Sequence, residues 1–234
     1  MRTHFPLLMA ACLLATPAAA ATRNFGINSY DRVRVDGPFK VRLTTGKAPF
    51  ARASGGPAAL EGVKIEVQGR TLVVKASQSA WGGYPGQGTG PVEIELGTHE
   101  LTAAWLNGSG TLHIDRVKAL SFDLSVQGSG AAGIAQADID QLRIAVGGTG
   151  TALVAGRSGK LTAVVRGVST LDSTKLVAKD ATIAAEGPAN VMANVSNAAK
   201  VDGSGVATVT LSGNPACTAR MTGSATLSGC RSLQ

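Results

Sequence analysis

Aromatic residues make up only 4% of the 234-residue chain and charged residues 16%, with 3 cysteines and 3 histidines. Low charge alongside plentiful Val, Leu and Ile argues against disorder. Few Glu and Lys among 30 glycines rule out a coiled coil. No apolar run reaches the ~20 residues that a membrane-spanning helix needs. Beyond the first residues the histidines are His99 and His113, neither at ligand spacing from a cysteine, so no zinc site is expected. What remains is small: 44% hydrophobic residues, mostly Ala, Val and Leu, on a chain long enough to bury a core.

Residues 1–21 read as a cleavable export signal. Arg2 supplies the basic start, 5–15 the apolar stretch, and the alanines at 18–21 the small-residue cleavage site. The mature chain, 22–234, is expected to leave the cytoplasm for the periplasm or cell surface. Lipid anchoring at Cys12 is the minority reading, because Met9-Ala10-Ala11 lacks the usual leading leucine and the apolar run continues through Leu13 and Leu14. Two cysteines then remain, Cys217 and Cys230. In an oxidising compartment an isolated pair thirteen apart forms one disulfide. Closing so short a loop contributes ~3 kcal/mol.

The charge is uneven. Residues 22–76 carry ten Lys or Arg against four acids, net +6, whereas 77–234 carry eleven of each. The sequence pI near 9.7 therefore belongs to the first third. Nucleic acid is excluded as the partner of an exported chain. Anionic envelope components such as lipopolysaccharide are the physical candidates, with Arg32, Arg34 and Arg42 as the test residues. The plainer reading places these bases on solvent faces of strands, where they also discourage edge pairing.

A glycine turn recurs at Gly108, Gly128, Gly148, Gly167, Gly187, Gly203 and Gly223, in steps of 20, 20, 19, 20, 16 and 20. Two residues before each stand Leu106, Val126, Val146, Val165, Ala185, Val201 and Met221. Four before stand Ala104, Leu124, Ile144, Ala163, Ile183, Ala199 and Ala219; four after, Leu112, Ala132, Ala152, Leu171, Val191, Ala207 and Leu227. Every position is apolar, and the spacing of two is the strand period. Short strands repeated every ~20 residues around a glycine corner describe an all-β, single-domain parallel β-helix, expected to be right-handed. Its narrow interior favours small side chains. At the opposite corner Arg116 and Lys118, Asp138 and Asp140, then Arg157 and Lys160 alternate in sign from coil to coil. An antiparallel sandwich does not explain so long a register.

Upstream, 32–35, 39–43, 63–67, 72–75 and 92–96 read as strands without the ladder. Residues 22–100 are therefore expected to form irregular capping coils, and 101–234 regular ones. Residues 77–91 read as a Gly/Pro loop carrying Trp81 and Tyr84. Trp105 falls at an outward position of its coil. These three aromatics are the candidate ligand-binding residues, suited to stacking on a sugar ring or an apolar patch.

The stretch FGINSYDRVRVDGPFKVRLTTG at the start, GRTLVVKA, the LNGSG, VQGSG and VDGSG turns, and the ending DGSGVATVTLSGNPACTARMTGSATLSGC resemble the exported bacterial family called "putative auto-transporter adhesin, head GIN domain". The resemblance spans roughly residues 25–230. It implies a β-helical, secreted or surface-associated protein and carries no catalytic residues.

Polysaccharide lyases and hydrolases built on β-helices need clustered acids or bases on one outer face, sometimes with Ca²⁺. Asp138 with Asp140 is the only close carboxylate pair of the repeat, and it reads as a solvated turn between cations. His113 and Asp115 have same-face spacing but no Ser or Cys nucleophile in a known arrangement. The sequence therefore predicts no enzyme, no metal and no cofactor. It predicts an adhesin-like envelope module for a glycan or surface-protein partner, with a ligand-free structural scaffold as the alternative.

Overall fold

Alternation of apolar and polar residues every second position makes each segment a strand with one face to bury, and the glycine corners fold successive strands into coils. The computed structural model of the chain describes residues 21–77 and 91–231. Residues 1–20 of the expected export signal, Cys12 among them, and Trp81 and Tyr84 lie outside the described residues. All sixteen strands of the described part join one sheet. The regular coils are β8 (Ala103–Gly108), β9 (Thr111–Gly128), β10 (Ala131–Gly148), β11 (Thr151–Gly167), β12 (Thr170–Glu186) and β13 (Asn190–Ser204), followed by β14 (Thr208–Ser212), β15 (Ala216–Met221) and β16 (Thr226–Ser228). From β8 to β16 every pairing is parallel. The fold is a parallel β-solenoid.

Each coil has three straight stretches. In β10 these are 131–134, 136–139 and 141–148, and the register with β9 lapses at Ala135 and Asp140. The first stretch leaves a glycine corner and the third runs into the next. Inward columns stack in register through the tube. One of them, Phe122–Leu142–Leu161–Ala181–Ala199–Cys217, loses bulk toward the C-terminal end. Phe122 is fully buried, and leucines and isoleucines dominate the largest interior side chains. The lumen is therefore wider than small-residue composition alone suggests, and each such side chain contributes ~1.5–3 kcal/mol of burial.

The apolar columns at two and four before, and four after, the glycines are buried through the sixth coil; at the open end Met221 and Leu227 are half-buried and Ala219 is exposed. One corner differs from the sequence reading. The sixth turn is made by Gly205, with φ +75°, whereas Gly203 is an interior residue stacked between Ala185 and Met221. The true steps there are 18 and 18. Val201 thus stacks on Ile183 instead of Ala185. A slip of two preserves which face a side chain takes, so every misassigned residue is still buried.

The N-terminal strands interleave instead of following chain order. β2 (Arg32–Asp36) and β3 (Lys40–Thr45) form a coil with its own corner at Gly37, and it stacks directly beneath β8 and β9. The next coil outward comes later in sequence: β6 (Thr71–Ala76) lies on β2, and β7 (Glu93–Thr98) on β3. That end is closed by antiparallel strands, β5 (Val63–Gln68) on β6, β4 (Phe50–Gly55) on β7 and β1 (Ala21–Phe25) on β4, with the short helix α1 (Pro57–Glu61) between β4 and β5. At the other end a disulfide joins Cys217 to Cys230, with Cα atoms 5.7 Å apart. The chain turns back past β16 to make it, because Cys217 belongs to an inward column.

Candidate functional site

A surface groove of about 740 Å³ lies on the N-terminal shoulder, where the second stretch of β9 bends into its third. Its wall is built from three strands whose starts converge. The Asp31 N–H donates to the Arg70 carbonyl at 3.1 Å, while the Asp31 carbonyl accepts from the N–H of Thr102 at 2.8 Å and from its hydroxyl at 3.1 Å. These bonds fix Asp31 just ahead of β2, and its residue exposure is only 5%. The Arg70 guanidinium donates to Asp31 Oδ2. Oδ1 has no hydrogen-bond partner among the described residues, and Arg32 Nε stands 4.0 Å away. Trp105, half-buried on β8, and Leu120, 79% exposed at the corner of β9, complete the lining.

Charges along the groove balance: Asp31, Glu100 and Asp123 against Arg32, Arg70 and Lys118. The planar carboxylate and guanidinium groups offer paired acceptors and donors, and the indole adds a flat apolar surface. Such a set is chemically suited to polyhydroxylated or mixed-charge ligands, through hydrogen bonding and stacking.

Sequence-predicted residues separate into two places. Trp105 does point outward, with Arg34 and Ser125 as its register neighbours, so the structure brings it beside Arg32 and Arg34. Arg34 is already paired with Asp36 at 2.8 Å. Arg42 lies on the first stretch, on a different face, beside Glu95 and His113 in a second groove of about 540 Å³. The three arginines therefore do not form one patch. Other bases of the N-terminal third are likewise neutralised, since Lys64 and Lys75 both contact Glu66 at 2.8 Å. Lys64 foremost, then Lys75 and Gln68, hold the Glu66 carboxyl down to about 2.

The acids tested for catalysis have structural partners. Asp138 accepts two bonds from Arg157 at 2.8 and 3.1 Å, which hold its carboxyl below the usual carboxylate range, and Lys118 stacks on its other side. The alternation of charge thus holds at Lys118–Asp138–Arg157, while Arg116 meets Gln136 instead. Asp115 caps backbone, accepting from the N–H groups of Thr45 and Arg116. His113 is exposed on a column it shares with Gly133 and Leu153. Among the described residues no three His, Cys, Asp or Glu side chains cluster as a metal site.

Asp31, Arg70 and Leu120 escaped the sequence reading. The signal available was Val35-Asp36-Gly37, a match to Leu106-Asn107-Gly108 that places β2 beside β8 and Asp31 at the foot of that pair.

No curated protein matches the chain. Among solved structures, a putative adhesin from Bacteroides fragilis NCTC 9343 is similar with a TM-score of 0.78 at 16% identity, covering 89% of this chain and 95% of that one. A structure from Parabacteroides distasonis ATCC 8503 described as a putative lipid binding protein gives 0.71 at 16% identity over the same shares. A putative adhesin from Parabacteroides merdae ATCC 43184 gives 0.68 at 13%, again over 89% and 95%. These likenesses establish the solenoid fold. Residues 29–215 match the family described as putative auto-transporter adhesin, head GIN domain, and the chain belongs to that family.

Proposed function

We propose that the protein is an exported, non-enzymatic binding module of the cell envelope or surface, holding a glycan or protein partner in the groove between Trp105 and Leu120. The observation that carries this reading is the groove itself, a concave site with an aromatic wall and a rigidly anchored polar node. Export is supported by the 1–21 signal and by the Cys217–Cys230 disulfide. A binding role in place of a catalytic one is supported by the engaged state of Asp115, Asp138 and Asp172, the last holding the Thr174 hydroxyl and N–H.

The test is an array of envelope glycans, lipopolysaccharides and lipid vesicles probed with mature protein. The parent binds a defined subset and Trp105→Ala loses it. Loss confined to Trp81→Ala or Tyr84→Ala would move the site away from the groove. Absence of binding to every envelope component, even at low salt, leaves only the scaffold reading.

A further inference from the structure

We infer that the ligand of the Trp105 groove is an uncharged saccharide, its ring stacked on Trp105 and its hydroxyls hydrogen-bonded to Asp31 and Arg70. This inference rests on the groove being a binding site, and it names the class of ligand. Two independent observations carry it.

The first is the orphaned oxygen. A residue only 5% exposed ordinarily has both carboxylate oxygens satisfied, yet Asp31 Oδ1, itself buried, has no hydrogen-bond partner among the described residues and only the Arg32 guanidinium at 4.0 Å, although the residue lines an open groove. Its backbone is tied to Arg70 and Thr102 and its Oδ2 to the Arg70 guanidinium, which together hold the carboxylate in place. What it lacks is a donor small enough to enter between Arg32 and Arg70. Those two side chains are 50% and 68% exposed and can yield. A hydroxyl fits this demand. A phosphate or carboxylate ligand brings only acceptors toward a carboxylate and is repelled by it.

The second is the balance of charge and apolar surface. Among the described residues three acids and three bases line the groove, so it offers no net charge to attract an anionic headgroup. Among the described residues Trp105 is the only aromatic lining it, and Leu120 adds apolar surface to the same open cleft. An open cleft with one flat aromatic wall suits the C–H face of a pyranose, whose equatorial hydroxyls then lie at the edge of the ring within reach of fixed planar donors and acceptors. An acyl chain would need an enclosed apolar channel in place of this charged rim.

The experiment uses Trp81→Phe protein, so that Trp105 is the sole tryptophan, titrated with a panel of neutral oligosaccharides and, separately, with lipopolysaccharide and anionic phospholipid vesicles, each at 20 mM and 500 mM salt. A member of the neutral panel should saturate a change in Trp105 emission, with affinity altered less than about twofold by salt. Asp31→Asn should weaken it by about tenfold or more, the scale of one charge-assisted hydrogen bond. Trp105→Ala, followed by calorimetry, should weaken it by at least as much. Glu186→Gln, whose carboxylate pairs with Arg166 outside the groove, controls for a general loss of surface charge and should bind within about threefold of the parent. Binding of lipopolysaccharide or vesicles alone, collapsing at high salt, overturns the saccharide while leaving the binding module standing. Neutral-sugar binding that survives both Asp31→Asn and Trp105→Ala overturns the site. Failure of every probe overturns the saccharide and leaves the module only a protein partner.

Discussion

Gly148→Ala and Gly187→Ala look equivalent in sequence and should differ several-fold in cost. Both glycines sit at coil corners with left-handed backbone, φ +83° and +77°. An alanine at either position takes on ~1 kcal/mol of backbone strain. A Cβ at Gly148 would stand 2.7 Å from the Gly128 carbonyl oxygen and 3.3 Å from two more backbone atoms of that residue. The oxygen cannot retreat freely, because it accepts the Thr149 N–H at 2.9 Å in the same corner. Weakening that bond and bending the backbone adds ~2 kcal/mol. A Cβ at Gly187 would have as its nearest neighbour the Gly167 nitrogen at 3.7 Å, an ordinary contact. The expected totals are ~3 and ~1 kcal/mol, or roughly 6–12 °C against 2–4 °C in Tm for a chain of this size. Thermal unfolding of the mature protein followed by far-ultraviolet circular dichroism measures both. Equal shifts for the two variants would refute the argument that stacked corners, and not φ alone, exclude side chains.

Val146→Asp puts a carboxylate into the lumen between Val126 and Val165, and should cost ~4 kcal/mol or more or prevent folding; a parent-like melt would show the inward register to be wrong. Mass spectrometry of a non-reduced digest should recover the Cys217–Cys230 linked peptides, and Cys217→Ser/Cys230→Ser should lose ~3 kcal/mol, with hydrogen exchange rising first in β15 and β16. Two free thiols in exported protein would remove the linkage. The folded-state pKa of Glu66 lies below its unfolded value, so the stability it contributes is present above the ordinary carboxylate range and lost as pH falls toward about 2; Asp138 and Asp172 shift in the same direction through Arg157 and Thr174. Urea midpoints from pH 7 to 2.5 should accordingly fall less steeply for Glu66→Gln, and identical profiles would contradict the pairing with Lys64 and Lys75.

The regular coils were legible because their inward columns recur at one spacing, and a solenoid stacks like on like. The same logic produced the slip at Gly203. Val201-Asp202-Gly203 imitates Leu106-Asn107-Gly108 in sequence, but the corner needs positive φ two residues later, at Gly205. The true counterpart of Leu106-Asn107-Gly108 is Val35-Asp36-Gly37, 71 residues upstream, and no search at a period of twenty finds it. That single unread pairing hides the groove. Trp105 could be placed outward by parity alone, whereas Asp31 and Arg70 reach it only through the interleaving of β2, β6 and β8. The antiparallel β1 and β4 went unrecognised for a related reason: as capping strands they obey no column.

That interleaving has a mechanical consequence. Tension on an ordinary solenoid unzips it from an end, one coil after another, each yielding about 70 Å of contour length for ~20 residues. Here a pull on the N-terminus strips β1 from β4, and then meets β2, clasped by β6 on one side and β8 on the other, with β3 held likewise between β7 and β9. Two ladders must shear together before the chain pays out further. At the opposite end the covalent loop keeps the last coil from unravelling past Cys230. Both ends are latched against load, and the Trp105 groove sits beside the sheared latch.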